Sequence, residues 1–262
     1  MADKRVLGNL YPAERRQEIV KRINDCGRAS VADLAVQFGV SEVTIRADLQ
    51  ALAARNLVVR THGGAVPAGR GLHELSLADR TQQQVSEKDR IGAAGAALVS
   101  NDNAIILDAS STALAIARHL KHRRDLTIFT NSIAIAHEML DAPGVTVVMP
   151  GGTLRRDMAS LTGGNGLEPL RGFNIQRGFF GAHGFSVPEG LTDVSLPEAE
   201  IKRKLVGMCR EVIAVVDSTK WGRFGLASFA ALQVITHVIT DVQAPTDLVE
   251  QVRALGIQVT LV

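Results

Sequence analysis

The sequence has few of the features that mark secreted or metal-binding proteins. Among its 262 residues there are only two cysteines. Cys26 and Cys209 lie far apart in the chain, and neither has a cysteine or histidine at metal-ligand spacing. They indicate free thiols in a reducing compartment rather than a disulfide or a metal site. We therefore expect no metal and no cofactor.

Long apolar runs are also missing. No stretch approaches the roughly 20 apolar residues that a membrane-spanning helix needs. Residues 1–16 lack the pattern of a secretory signal peptide. We therefore expect a cytoplasmic protein with no membrane partner.

The chain has no strong charge imbalance, since its formal net charge is only +2. Its hydrophobic share of 46% and charged share of 21% are typical of a globular protein, and its length fits one or two domains. The basic excess lies at the start, where residues 1–66 carry ten basic and seven acidic side chains. By itself, this local charge of +3 is a weak indication of nucleic-acid binding.

The most informative stretch is residues 40–65, which begins as an amphipathic helix. Ser41 is a typical N-cap residue, because its hydroxyl can accept a hydrogen bond from a free backbone N–H. The apolar face consists of Ile45, Leu49 and Leu52, spaced at i, i+4 and i+7. The polar face carries Glu42, Thr44 and Arg46. Such a helix packs on a small core and can present its N-terminal part to DNA.

Another helix is predicted just before it. Ser30 begins this helix, and Ser30 with Asp33 resembles a capping box. A tight turn containing Gly39 then leads into the helix that begins at Ser41. Helix, short glycine-containing turn and helix together form the helix-turn-helix pattern.

A hairpin, or wing, is predicted to follow. Residues 57–60 indicate a short strand, and Gly63-Gly64 indicates a turn where the backbone can come close to phosphates. Thr44 and Arg46 are expected to contact bases, and Ser41, Arg60 and His62 to contact phosphates. The candidate DNA-binding residues are Ser30, Ser41, Glu42, Thr44, Arg46, Arg60, His62, Gly63 and Gly64. A generic helical subdomain or a protein–protein module would also fit the helices alone.

The rest of the chain predicts a linker and a larger domain. We assign residues 1–66 to a winged helix-turn-helix, 67–86 to a linker and 87–262 to an effector domain. Apolar, β-branched runs alternate with helices in this last part. That alternation predicts a doubly wound, mostly parallel α/β sheet with helices on both faces.

Polar residues follow several predicted strands of this domain. In open α/β sheets, ligands bind beyond the carboxyl ends of the strands. The hydroxyl-rich helix start at 110–112 suits a phosphate, Asp108 suits a sugar hydroxyl and Lys220 suits an anion. The candidate effector-binding residues are Asp108, Ser110, Ser111, Thr112, Thr130, Asn131, Ser132, Gly151, Gly152, His183, Glu198, Lys202, Asp217 and Lys220.

Each of these residues also has an ordinary structural interpretation. Serine, threonine and aspartate are common helix caps, and His183 could be a capped loop residue rather than a ligand contact. Glu198 and Lys202, at i and i+4, could form a surface ion pair instead of bordering the ligand site.

The segments SEVTIRADL (41–49) and RTHGGA (60–65) resemble the DNA-binding signature of the DeoR family of bacterial transcriptional regulators. The effector domain resembles the sensing domain of the same family, which is similar in fold to ribose-5-phosphate isomerase. The matching pieces are LDASST (107–112), TNS (130–132), PGG (150–152), the helix with Glu198 and Lys202, VDSTK (216–220) and ITD (239–241).

The resemblance implies a repressor of a carbohydrate-metabolism operon. Its DNA affinity would respond to a phosphorylated sugar or polyol, and it would form homo-oligomers. The chain departs from the family pattern at Ala47, where a second basic residue is usual, and at Ser110, where glycine is usual. Two alternatives are an isomerase with an accessory domain and a protein-interaction adaptor, but an isomerase has no need of a winged helix.

Overall fold

The computed structural model describes residues 10–26, 29–54, 57–61, 63–67, 75–163, 166–167, 170 and 172–262. The chain divides into two compact units, Met1–His73 and Glu74–Val262. The division falls inside the predicted linker, and the exact domain boundaries remain a prediction.

The first unit is a winged helix-turn-helix. Its elements are α1 (Pro12–Cys26), β1 (Ala29–Ser30), α2 (Val31–Phe38), α3 (Glu42–Ala54), β2 (Val58–Thr61) and β3 (Gly64–Pro67). Ser30 is the N-cap of α2, as predicted, and accepts a hydrogen bond from the Asp33 N–H. Gly39 ends α2 in the left-handed conformation with φ 63°.

The predicted helix periodicity matches the core of this unit. The residues that fill it include Ile19, Ile23, Leu34, Phe38, Ile45, Leu49 and Leu52, all at most 2% exposed. The antiparallel sheet has the order β1-β3-β2, and β1 was not predicted from the sequence. Gly64 lies in β3, where a Cβ would come 2.1 Å from the Ala29 carbonyl oxygen. Close pairing of β3 with β1 therefore requires glycine there.

The second unit alternates helices and strands. Its elements are α4 (Leu77–Thr81), α5 (Val85–Ala97), β4 (Ala104–Leu107), α6 (Ser111–His119), β5 (Leu126–Phe129), α7 (Ile133–Glu138), β6 (Val145–Val148), β7 (Thr153–Arg155), β8 (Ser160–Thr162), β9 (Ile175–Phe180), β10 (Gly184–Ser186), β11 (Gly190–Asp193), α8 (Leu196–Val206), β12 (Cys209–Val215), β13 (Ala227–Ala230), β14 (His237–Thr240), α9 (Thr246–Ala254) and β15 (Gln258–Leu261).

Seven of these strands form a parallel sheet in the order β15-β14-β12-β9-β4-β5-β6. Successive residues of a strand point to opposite faces of the sheet. In β4, Ile106 packs in one buried cluster, and Ile105 and Leu107 pack in another. Both faces are therefore covered, which confirms the predicted α/β architecture.

Two smaller β-structures lie outside the main sheet and were not predicted. One is the hairpin β7–β8, and the other is the antiparallel sheet β10-β11-β13. Both contribute residues to the buried polar groups described below.

Candidate functional site

Helix α3 begins with the predicted cap. The Thr44 N–H donates to the Ser41 hydroxyl oxygen at 3.2 Å, and the two hydroxyl oxygens are 2.9 Å apart. Glu42 and Arg46 are exposed and form an ion pair of 2.7 Å. The predicted base-contacting residues therefore lie together at the start of α3.

The wing is described only in part. Gly63 is exposed in the turn, and among the described residues other than its chain neighbours no atom lies within 4 Å of the position that a Cβ would take there. Gly64, by contrast, is packed against β1. His62 and the side chain of Arg60 lie outside the described residues, so their phosphate contacts remain predictions.

A buried ion cluster links α1 to α3. The carboxylate of Asp48, 2% exposed, accepts from Arg15 Nε at 2.6 Å and from Arg16 Nε at 2.7 Å. Sequence reasoning missed this cluster, because the partners are more than 30 residues apart.

In the second unit, one cleft gathers part of the predicted effector site. The space within it and in the open solvent at its mouth amounts to about 430 Å³. The predicted residues that line it are Ser110, Ser111, Thr112, His183, Asp217 and Lys220. Arg80, Gln83 and Lys88 also line it, and none of these three was predicted.

The first turn of α6 forms one wall of the cleft. Ser110 is its N-cap and accepts from the Ala113 N–H at 3.1 Å. Ser111 and Thr112 follow as the first helical residues, and their N–H groups have no intrahelical partners by the geometry of a helix start. Donors of this kind suit an anion.

Cations surround this wall. Lys88 Nζ donates to the carbonyl oxygens of Arg80 at 2.5 Å and Gln83 at 2.7 Å. Burial lowers the pKa of Lys88 to about 8. Burial also lowers the pKa of Lys220, and burial with the nearby Lys220 charge lowers the pKa of His183.

The guanidinium of Arg80 is only partly hydrogen-bonded within the described residues. One of its terminal nitrogens reaches the Ala109 carbonyl oxygen at 3.5 Å. Its Nε is buried and has no hydrogen-bond partner within the described residues. No local sequence signal identifies Arg80 or Lys88 as cleft residues, because each looks like a solvated charge on a helix surface.

Two of the predicted acids, Asp217 and Asp108, accept hydrogen bonds that fix the loops around the cleft. Asp217 accepts from the backbone N–H of Thr219 at 3.0 Å and from its hydroxyl, and so fixes the turn that carries Lys220. Asp108 is fully buried and accepts from the Ser110 N–H at 3.2 Å and the Gly181 N–H at 3.1 Å. Asp108 therefore holds the loops in place and does not line the cleft.

Lys202 completes this support. Its Nζ lies 3.0 Å from Asp108 and 2.9 Å from Asp193, and it donates to the Gly181 carbonyl oxygen at 3.0 Å. Burial by itself would lower the pKa of Lys202, but the two carboxylates raise it above its usual value.

Glu198 is buried with different partners. It accepts from the Ser160 hydroxyl and from Arg155 at 3.1 Å. Burial raises the pKa of Glu198, and its Oε2 has no hydrogen-bond partner in the described part of the chain. The interpretation of Glu198 and Lys202 as a surface ion pair is wrong, since both are 2% exposed.

The remaining predicted residues form a second group around β8. Asn131 donates to the Leu161 carbonyl oxygen at 3.1 Å, and its buried Oδ1 has no partner among the described residues. Ser132 is the N-cap of α7, and Thr130 accepts from the Ser132 N–H at 3.0 Å. Gly151 and Gly152 are exposed just before β7. None of these five residues lines the cleft.

The described residues contain neither a membrane-spanning helix nor a metal cluster. Among the described residues, no helix is long and apolar enough to span a membrane. In the same residues, no three His, Cys, Asp or Glu side chains group in a way that could hold a metal ion.

Both units match models of known protein families. Residues 15–68 match the model of the DeoR-like helix-turn-helix domain, and residues 83–242 match that of the DeoR C terminal sensor domain. Similar curated proteins include the HTH-type transcriptional regulator GolR of Listeria innocua, 33% identical over 96% of this chain and 99% of that protein. The HTH-type transcriptional repressor GlcR of Bacillus subtilis is 31% identical over 88% and 89%.

A third relative is the glycerol-3-phosphate regulon repressor of Escherichia coli (strain K12), 28% identical over 95% of this chain and 98% of that protein. Among solved structures, ribose 5-phosphate isomerase A from Methanocaldococcus jannaschii is similar with a TM-score of 0.39 and 16% identity, over 51% of this chain and 53% of that one. The curated relatives are DNA-binding regulators rather than enzymes.

Proposed function

The chain belongs to the DeoR family of transcriptional regulators, and we propose that it represses a carbohydrate-metabolism operon in response to a phosphorylated sugar or polyol. Thr44 and Arg46 contact bases of the operator, and Ser41, Arg60, His62 and Gly63 approach phosphates. The effector in the cleft lowers the affinity for the operator. The protein acts in the cytoplasm. It binds DNA as a homo-oligomer, because symmetric dimers fit operator half-sites about 34 Å apart or multiples of that distance.

The observation that carries the effector proposal is the convergence of cations on the first turn of α6. Arg80, Lys88 and Lys220 line the cleft together with the hydroxyls of Ser111 and Thr112. Free N–H groups at a helix start, hydroxyls and cations together bind phosphate oxygens.

The charge of the cleft favours a dianion. Three cationic side chains face one carboxylate, Asp217, which is already bonded to Thr219. A phosphate monoester carries about −1.5 to −2 at pH 7 and balances this excess better than a single carboxylate does.

We propose that the group around β8 supports the structure beside the effector site without contacting the effector, because none of its residues lines the cleft. Asn131 Oδ1 and Glu198 Oε2 are buried acceptors without donors among the described residues. An unsatisfied buried polar atom costs about 1–3 kcal/mol. Both atoms are inaccessible from the cleft, so an effector bound there leaves this cost unchanged.

The same arrangement offers a route from effector to DNA-binding unit. In the described part of the chain, α4 is the first element after the wing, and it carries Arg80. The Leu77 N–H of α4 also donates to the Asp157 carbonyl oxygen at 2.8 Å, next to the hairpin β7–β8. An anion held by Arg80 therefore acts on α4, the first described helix of the second unit.

A thermal-shift screen tests the effector proposal. Matched pairs, such as glycerol 3-phosphate with glycerol and fructose 6-phosphate with fructose, isolate the phosphate group. A ligand that binds only the folded state raises its stability by mass action. The single tryptophan, Trp221, directly follows Lys220 and offers an independent fluorescence signal. Equal shifts from phosphorylated and plain compounds would contradict the proposal.

A further inference from the structure

The recognition helix does not by itself carry the positive charge that DNA binding requires. The charged residues of α3 are Glu42, Arg46 and Asp48, which sum to −1. Arg46 is in addition paired with Glu42 at 2.7 Å. Because DNA is a dense polyanion, the affinity of a protein for it depends on cations that replace the counterions of the phosphates.

Helix α1 supplies charge to α3 through Asp48. The Asp48 carboxylate is shared by the guanidinium groups of Arg15 and Arg16, so this cluster carries +1. The side chain of Arg15 is only 10% exposed, and its Nη1 also donates to the Leu10 carbonyl oxygen. The side chain of Arg16 is 39% exposed. The excess positive charge therefore reaches solvent at Arg16.

Arg16 also lies beside the flank of α3 that carries Thr44, a predicted base-contacting residue. Thr44 and Asp48 are four residues apart and so are neighbours on one flank of the helix. Arg16 uses its Nε–H on Asp48, and among the described residues no other bond of this guanidinium is found. A guanidinium has five N–H donors. Its terminal NH₂ groups can therefore reach a ligand while Nε stays bonded to Asp48.

We infer that Arg16 contacts a DNA phosphate and that Asp48 is the residue that positions it. Helix α1 then provides a contact to the phosphate backbone of DNA, beside the recognition helix α3. Such a contact does not depend on the base sequence of the DNA, since phosphates carry no information about the bases. It can be tested without knowledge of the operator.

The test is the salt dependence of binding to a mixed-sequence 30-base-pair duplex, measured with the full-length protein by fluorescence anisotropy. Each phosphate contact contributes about 0.9 to the slope of log K against log salt concentration. Arg16→Gln is expected to lower the slope by about that amount for each protomer bound to the duplex, and Arg16→Lys to retain it. The matched control is Arg22→Gln, also on α1 and exposed, which should leave the slope unchanged.

The slope separates a DNA contact from a purely structural role. Thermal unfolding of each variant shows whether the loss of one Asp48 partner affects folding. An Arg16→Gln protein that binds more weakly but keeps the wild-type slope would overturn the proposal. An equal slope change in Arg22→Gln would overturn it as well, because net charge rather than position would then be responsible.

Discussion

Each of the two units contains a cluster in which a buried charged group lies between two groups of opposite charge. In the winged helix, Asp48 lies 2.6 and 2.7 Å from the Nε atoms of Arg15 and Arg16. In the second unit (the sensor unit), Lys202 Nζ lies 3.0 and 2.9 Å from the carboxylates of Asp108 and Asp193. The two clusters have opposite net charges, +1 and −1.

The clusters differ in their access to solvent. The side chain of Arg16 is 39% exposed, whereas the side chains of Asp108 and Asp193 are 0% and 5% exposed. An open cluster can present charge to a ligand, and a sealed one can only fix the backbone around it. In the sensor unit, the charges that can meet a ligand lie instead in the neighbouring cleft.

The largest expected effect comes from breaking the sealed cluster. Lys202→Met leaves two buried carboxylates without their cation, and we expect a loss of about 3–5 kcal/mol in the free energy of unfolding. Urea unfolding followed by Trp221 fluorescence measures it. Lys204→Met, on the exposed side of α8, is the control and should stay within about 0.5 kcal/mol of wild type. A stable Lys202→Met protein would show that the cluster does not hold the unit together.

A smaller loss is expected in the open cluster. Asp48→Asn leaves the guanidinium of Arg15 without its charge partner, but Arg16 can be hydrated, so we expect about 2 kcal/mol. Differential scanning calorimetry measures it, with Glu42→Gln on the exposed face of α3 as the control. If Asp48→Asn costs as much as Lys202→Met, exposure does not distinguish the two clusters.

Lys220→Ala tests a charged side chain that faces the ligand cleft rather than one that stabilises the fold. The variant removes a cation that lines the cleft and, among the described residues, is bonded to no carboxylate, so the Kd for the effector is expected to rise about tenfold, or 1.4 kcal/mol. DNA binding without effector should not change. Titration by Trp221 fluorescence and by DNA anisotropy gives both values, and Lys204→Ala serves as the control. An unchanged Kd would remove Lys220 from the site.

The smallest effect is a dependence of effector binding on pH. Burial lowers the pKa of Lys88 to about 8, so the free protein loses this cation as pH rises through that value. A bound dianion favours the protonated form, and affinity should fall about threefold to tenfold between pH 7.5 and 9.5. Lys88→Arg stays charged and should flatten this profile. A wild-type profile as flat as that of the variant would exclude Lys88 as the titrating group.

Local patterns in the sequence predicted the architecture well. The spacing of Ile45, Leu49 and Leu52 identified α3, and the Ser30 cap identified the start of α2. Apolar runs such as 104–107 identified buried parallel strands. These signals are local, because helix faces, caps and strand burial depend on residues only a few positions apart.

Local patterns could not predict which charges are exposed. Glu198 and Lys202 have the spacing of a surface ion pair, but their partners come from β8, β11 and the loop after β4. Arg80 and Lys88 lie in and just after the stretch assigned to the linker, and only packing brings them to the cleft. Asp108 was expected to meet a hydroxyl, but it is fully buried.

The sequence by itself determined the two folds, their order and the membership of the DeoR family, because periodicity, capping and motif order are properties of the chain. Only the tertiary structure decided which polar residues face a ligand and which support the fold. The reason is that burial and ion pairing depend on residues from distant segments: Arg15 with Asp48, Lys202 with Asp108, and Lys88 with Lys220 in one cleft.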